Sequence, residues 1–193
     1  MNNKKTNVKR LVLTAVLIGL ATVLSLIKVY QLPLGGSITL LSMLPIALIS
    51  IEYGIGWGFV GAFAYSLIQF GFGIADGLFG WGLSPIAVVG CILFDYILAF
   101  TALGIAGIFR KKGAFGICTG VFIAVVCRFI FHLLSGVLIF GSWVPEGWAN
   151  PWVYSIAYNG SYMLPELVFT MIGAVILFKT PQFAKLVESN IED

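Results

Sequence analysis

Six stretches of this chain are apolar almost without interruption: Leu11–Ile27, Ile38–Ile51, Gly54–Phe72, Pro85–Phe109, Ala114–Phe140 and Tyr154–Phe178. A segment needs roughly 20 apolar residues to cross a hydrocarbon core about 30 Å thick. The runs therefore predict an all-α integral membrane protein, a single domain of six transmembrane helices over residues 1–193. Of those 193 residues, 60% are hydrophobic and 10% charged, with a mean hydropathy of +1.03, which a water-soluble surface could not carry. No length is left for a separate soluble catalytic domain. The second run is short and carries Pro45, so it is expected to be tilted, kinked or partly re-entrant.

The first run follows Lys4, Lys5, Lys9 and Arg10, as the core of a signal peptide would. It is longer than such cores and no small-residue cleavage site follows it, so a retained helix is expected. Cys91, Cys118 and Cys127 lie inside apolar runs without metal spacing and read as small core residues. With six alternating helices, Lys4, Lys5, Lys9, Arg10, Arg110, Lys111, Lys112, Lys179 and Lys185 all fall on one side. Basic residues mark the cytoplasmic face, which places both termini inside. The net charge of +3 thus reports orientation and not nucleic-acid binding. The other face receives three loops rich in turn residues, Gln31–Ser37, Gly73–Ser84 and Gly141–Trp152, which are natural outer lids.

An ionisable group in hydrocarbon costs from about 2.5 kcal/mol upward, so the few within the spans carry the functional information. They are Asp95, Arg128, His132 and Glu166. Arg128 and His132 are four residues apart and share a helical face. At about 1.5 Å per residue from the outer helix ends, Asp95 lies roughly 15 Å deep and His132 roughly 12 Å, with Asn159 nearer the mouth. That depth suits a pocket opening outward better than a through-channel. Tyr96, Phe140, Trp143, Trp148, Trp152, Tyr154, Tyr158 and Tyr162 cluster at the same level. A carboxylate among aromatic faces holds an organic cation, and flat walls stack on heterocycles, so the implied ligand is cationic and aromatic.

Each feature has a plainer reading. Asp95 and Arg128 pair across two helices in one, His132 is a core histidine in another, and the tryptophans form an interfacial belt in a third. Glu166 follows Pro165 near midmembrane and is matched to a backbone donor at a kink on the plainer view. Ala15 and Gly19 form a small-xxx-small pattern that suits close helix contact, either within the chain or with a partner. With one histidine, no HExxH or CxxC metal spacing, no Walker loop and no serine placed with a base, the chain is expected to be no enzyme and to hold no metal or cofactor.

Four separated signatures occur in order: Pro33-Leu34-Gly35-Gly36-Ser37; Leu93-Phe94-Asp95-Tyr96-Ile97-Leu98-Ala99-Phe100; Arg128-Phe129-Ile130-Phe131-His132 with Ser135-Gly136; and Trp152-Val153-Tyr154-Ser155-Ile156-Ala157-Tyr158-Asn159. Together they resemble the thiamine-specific substrate-binding (S) components of energy-coupling factor vitamin transporters, over nearly the whole chain. The resemblance implies a multi-pass protein of the bacterial plasma membrane with thiamine as ligand. It implies as partners a membrane-embedded coupling (T) subunit and two ATPase subunits (A and A'), which hydrolyse ATP. It also implies that Asp95, Tyr96, Arg128, His132, Tyr154 and Asn159 line the thiamine pocket, and that Ala15 and Gly19 meet the coupling subunit. Some members have glutamate for Asp95 or lysine for Arg128, and alanine is usual at Gly19. A stacking tryptophan found in the first outer loop of some members is replaced here by Gly36. A second falls at Phe140 or Trp143, with Trp143 favoured. The competing expectations are an S component for another vitamin or a thiamine precursor, and a proton-coupled secondary transporter using Asp95, Arg128 and His132 as a relay.

Overall fold

The computed structural model describes residues 2–183 and 187. Among these, four helices are long and apolar enough to cross a membrane: Asn7–Leu26, Ile55–Ala75, the 54-residue run Pro85–Leu138 and Pro151–Lys179. Met43–Tyr53 is a shorter apolar helix. Lys185 lies outside the described residues.

Helix α1 (Asn2–Leu26) leads into a small antiparallel hairpin, β1 (Lys28–Gln31) against β2 (Ser37–Thr39), with Lys28 opposite Thr39 and Gln31 opposite Ser37. Pro33 opens the single turn at its tip and Gly35, at φ 92°, closes it in a conformation that glycine adopts freely. The expected second span is thereby corrected. Ile38 belongs to the hairpin, and helix α2 covers only Met43–Tyr53. Nor does Pro45 interrupt it, because a proline in the first turn removes a backbone N–H that has no partner within the helix. Nearly every residue of α2 is buried, so this short helix is the axis around which the others pack.

Gly54 ends α2 at φ 89°, and α3 (Ile55–Ala75) runs back alongside it. Ser84 then caps α4 (Pro85–Cys91), its side chain accepting from the Ala87 N–H at 3.3 Å with Pro85 in the first turn. The rod continues as a π-helical segment at Ile92–Leu98, a short α5 (Ala99–Thr101) and a 3₁₀ stretch to Lys112. It breaks at Gly113, φ 64°, where α6 (Gly113–Leu138) begins. Helix α7 (Pro151–Lys179) starts three residues before the expected Tyr154, because Asn150 caps it through the Val153 N–H at 3.0 Å and Pro151 suits the first helical position.

One end of the molecule gathers basic residues. The Arg110 guanidinium donates to the last carbonyls of α2, Glu52 at 2.8 Å and Ile51 at 3.3 Å, and Arg10 lies 5.6 Å over the Tyr53 ring. A cation at a helix C-terminus satisfies orphan carbonyls and opposes the dipole. The hairpin and the loops after α3 and α6 lie at the opposite end, and the functional cavity opens among them.

Candidate functional site

The cavity holds about 240 Å³. That is just under the usual 300–1,000 Å³ of pockets for drug-sized ligands, so it suits a compact guest. Asp95, Tyr96, Arg128, His132, Tyr154 and Asn159 all line it. Six expected residues from three separate helical stretches therefore meet around one hollow.

Asp95 sits within the π-helical segment Ile92–Leu98. Such segments insert extra backbone into a helical turn and re-aim side chains, which is why they recur at functional sites. Its Oδ1 lies 3.0 Å from His132 Nδ1. Its Oδ2 accepts from the Ser135 hydroxyl and, at 3.3 Å, from the Cys91 thiol. On the far side of the imidazole, Arg128 Nε donates to His132 Nε2 at 3.3 Å. Guanidinium nitrogens only donate, so Nε2 must accept, and the ring hydrogen is assigned to Nδ1, pointing at Asp95. Of the plainer readings, a direct Asp95–Arg128 ion pair is thus replaced by a three-membered row with His132 at its centre. Among the described residues, Arg128 has no carboxylate within ion-pair distance, and its charge rests 4.3 Å over the Phe100 ring. A cation–π contact away from water contributes about 2 kcal/mol.

Helix α7 supplies the opposite wall through Ser155, Asn159, Tyr162 and Glu166, spaced to fall on one face. Asn159 is fully engaged: its Nδ2 donates to the His132 carbonyl at 3.3 Å and to Ser155, while its Oδ1 accepts from Tyr162 at 2.7 Å. It ties α7 to α6 through the His132 backbone, and Tyr162 stands near-perpendicular to the His132 ring. Tyr154 stacks on Tyr158, 5.9 Å between centroids, and forms the rim.

Gly36 accounts for the missing loop tryptophan. A Cβ there would lie 2.8 Å from the Tyr162 ring and 2.9 Å from the Tyr158 hydroxyl, so no side chain fits. Tyr158 occupies that place and clamps the hairpin tip, receiving the Gly36 N–H at 3.2 Å and donating to the Pro33 carbonyl.

Trp143 does not line the cavity. The chain turns away after α6 ends at Leu138, and Trp143 stands outside Phe140 with its ring edge-on at 5.4 Å. Phe140 takes the inner position, and Trp81 packs beside it at 6.2 Å. Trp81 is the one tryptophan in the lining. Its sequence signal is an indole set between Gly80 and Gly82 in an outer loop, where a belt residue and a lid residue look alike. At the mouth, Lys28 on β1 pairs with Asp76 after α3 at 3.8 Å. The lining carries Lys28, Arg128, Asp76, Asp95 and Glu166, a net charge of one negative when every carboxylate is ionised and His132 neutral.

Comparison with known proteins finds relatives that span most of the chain. Residues 11–185 match the thiamine transporter protein family Thia_YuaJ. The chain is 32% identical over 192 residues to the thiamine transporter ThiT of Bacillus subtilis, covering 92% of this chain and 94% of that one. It is 27% identical over 154 residues to ThiT of Lacticaseibacillus paracasei, covering 72% and 73%. Among solved structures, ThiT from Listeria monocytogenes superposes with a TM-score of 0.73 at 26% identity, covering 94% of this chain and 98% of the other.

Proposed function

Because the chain belongs to the thiamine transporter protein family Thia_YuaJ, we propose that it captures thiamine at the outer face of a bacterial plasma membrane as the S component of an energy-coupling factor transporter. In this reading it is one membrane domain of six crossings with both termini cytoplasmic, and it hydrolyses nothing itself. A coupling subunit and two ATPase subunits supply the power stroke. The clustering of Arg10 and Arg110 at the end opposite the cavity supports that orientation.

One observation carries the proposal: a carboxylate, Asp95, stands in a small cavity walled by Tyr96, Phe100, Phe140, Trp81 and Tyr154. The carboxylate balances the thiazolium charge, the rings stack on both heterocycles, the Arg128 guanidinium and the Tyr154 hydroxyl provide hydrogen-bonding edges, and His132, with one ring nitrogen on Asp95 and the other on Arg128, holds those two in place. Asn159 orients the site through His132 and Tyr162. Titrating the purified protein with thiamine while following tryptophan fluorescence tests this. Saturable quenching is expected, absent with riboflavin. Trp81→Phe is expected to remove most of the quenching, and Trp143→Phe little of it. Quenching that survives in Trp81→Phe and vanishes in Trp143→Phe would put the ligand outside this cavity.

A further inference from the structure

Gly71 and Gly73 stand two residues apart on α3, and both precede its last residue, Ala75. Glycine within a helix is less stable than alanine, so a glycine there is either dispensable or needed for room. Gly71 is exposed, and a Cβ built on it meets nothing within 4 Å. Gly73 differs. It is buried and lines the cavity, and a Cβ there would stand 2.6 Å from Cε1 of Tyr96 and closer still to Cζ and the phenolic oxygen. Unbonded atoms do not approach so closely, and overpacking of this kind displaces the side chain that meets it. The α3 backbone at Gly73 is thus a notch that receives the end of the Tyr96 side chain. Phe70, three residues earlier on the same face of α3, meets that ring edge-on, 5.8 Å between centroids. Tyr96 belongs to the π-helical segment that also presents Asp95, so the place of its ring bears on the aromatic wall beside the carboxylate.

We infer that Gly73 is a positioning residue: by lacking a side chain it keeps Tyr96 against α3 and sets the width of the cavity at the wall next to Asp95. This rests on the thiamine reading above. A cavity of about 240 Å³ leaves a guest little spare room. A methyl group at position 73 drives the phenol off α3 and, because both residues line the hollow, into the space of the guest. The effect of Gly73 on binding therefore passes through Tyr96.

The test is a double-mutant cycle on thiamine affinity, with Gly73→Ala and Tyr96→Leu singly and together and Gly71→Ala as the matched control. Gly73→Ala is expected to weaken thiamine about tenfold or more, and Gly71→Ala to change it by no more than about twofold. The leucine side chain ends short of the atoms that fill the notch. In the Tyr96→Leu background Gly73→Ala is therefore expected to cost no more than about twofold further, so the losses are not additive. A Gly73→Ala loss that persists in full in that background assigns the residue to the packing of α3 and overturns the inference. A loss of equal size in Gly71→Ala overturns it too, as does a Gly73→Ala protein that binds thiamine normally. Where Tyr96→Leu binds too weakly to titrate, thermal unfolding of the unliganded proteins gives the same cycle. Gly73→Ala then lowers Tm in the wild-type background and leaves it unchanged in the Tyr96→Leu background, and equal falls in both overturn the inference. Wild-type protein that binds no thiamine overturns the thiamine reading, and the unfolding cycle still decides whether position 73 acts through Tyr96.

Discussion

Asp95→Asn lowers thiamine affinity by about a hundredfold, close to 3 kcal/mol, while a neutral isostere with thiophene in place of thiazolium loses no more than threefold. The substitution is close to isosteric, and the local network survives it. The side-chain carbonyl still accepts the proton on His132 Nδ1, and the new amide donates to Ser135, whose hydroxyl rotates to receive it. What disappears is the negative charge. A guest cation leaving water for this cavity then meets Arg128, unpaired and resting on Phe100, without the anion that offset it. Breaking a buried charge pair by removing one member costs about 2–5 kcal/mol, whereas a neutral ring forfeits only a polar contact. Binding curves for both ligands on both proteins decide it, and equal losses would remove Asp95 from its role as counter-charge.

The reason Asp95 was legible in the sequence applies to half the site. Charged residues are so costly in an apolar run that each one stands out, and helical spacing then puts Arg128 and His132 on one face. That route reaches Asp95, Arg128 and His132, the family resemblance adds Tyr96, Tyr154 and Asn159, and the structure brings all six around one cavity. It fails where position depends on backbone that no periodicity reports. The π-helical turn that re-aims Asp95 has no sequence mark. The hairpin is hidden because Ile38, Leu40 and Leu41 merge with the apolar helix that follows, and a three-residue strand is too short to show alternation. Trp143 and Phe140 are three residues apart at a helix end, and only the turn after Leu138 determines which faces inward.

Contacts between residues distant along the chain were illegible for a different reason. Glu166 acquires its meaning from Thr39, 127 residues away, and Gly36 from Tyr158, 122 residues away. Neither partner is unusual in its own neighbourhood. Gly36 in particular reads in the sequence as a deficit, a missing aromatic. Its lack of a side chain is what lets Tyr158 and Tyr162 close against the hairpin tip. The aromatic surface lost from the loop is present on α7 instead. The same hairpin is held at its tip by Tyr158 and at its base by Glu166, so one face of α7 connects the rim of the cavity to its floor.

Ala15→Trp or Gly19→Trp abolishes thiamine uptake in cells, at least twentyfold below the unmodified protein, while the purified subunit binds thiamine within twofold of normal. Packing within the chain, one of the two readings of this stripe, does not describe it: both residues are exposed, and a Cβ built on Gly19 meets nothing within 4 Å. Leu11, Val12, Val16, Leu20 and Val23 along the same helix are exposed too. A large side chain on an open face changes the stability of the isolated subunit by about 0.5 kcal/mol or less. Against a second helix the consequence is different, because axes about 8 Å apart require small residues between them, and an indole forces the helices apart. Leu164→Trp, on an exposed position of α7, is the matched control and keeps uptake. The two readouts separate the two tasks that the proposed function gives the molecule, capture at the cavity and delivery through a partner on α1. A parallel fall in binding and uptake would assign α1 to the fold or the pocket, and uptake unharmed by either substitution would move the partner to another face.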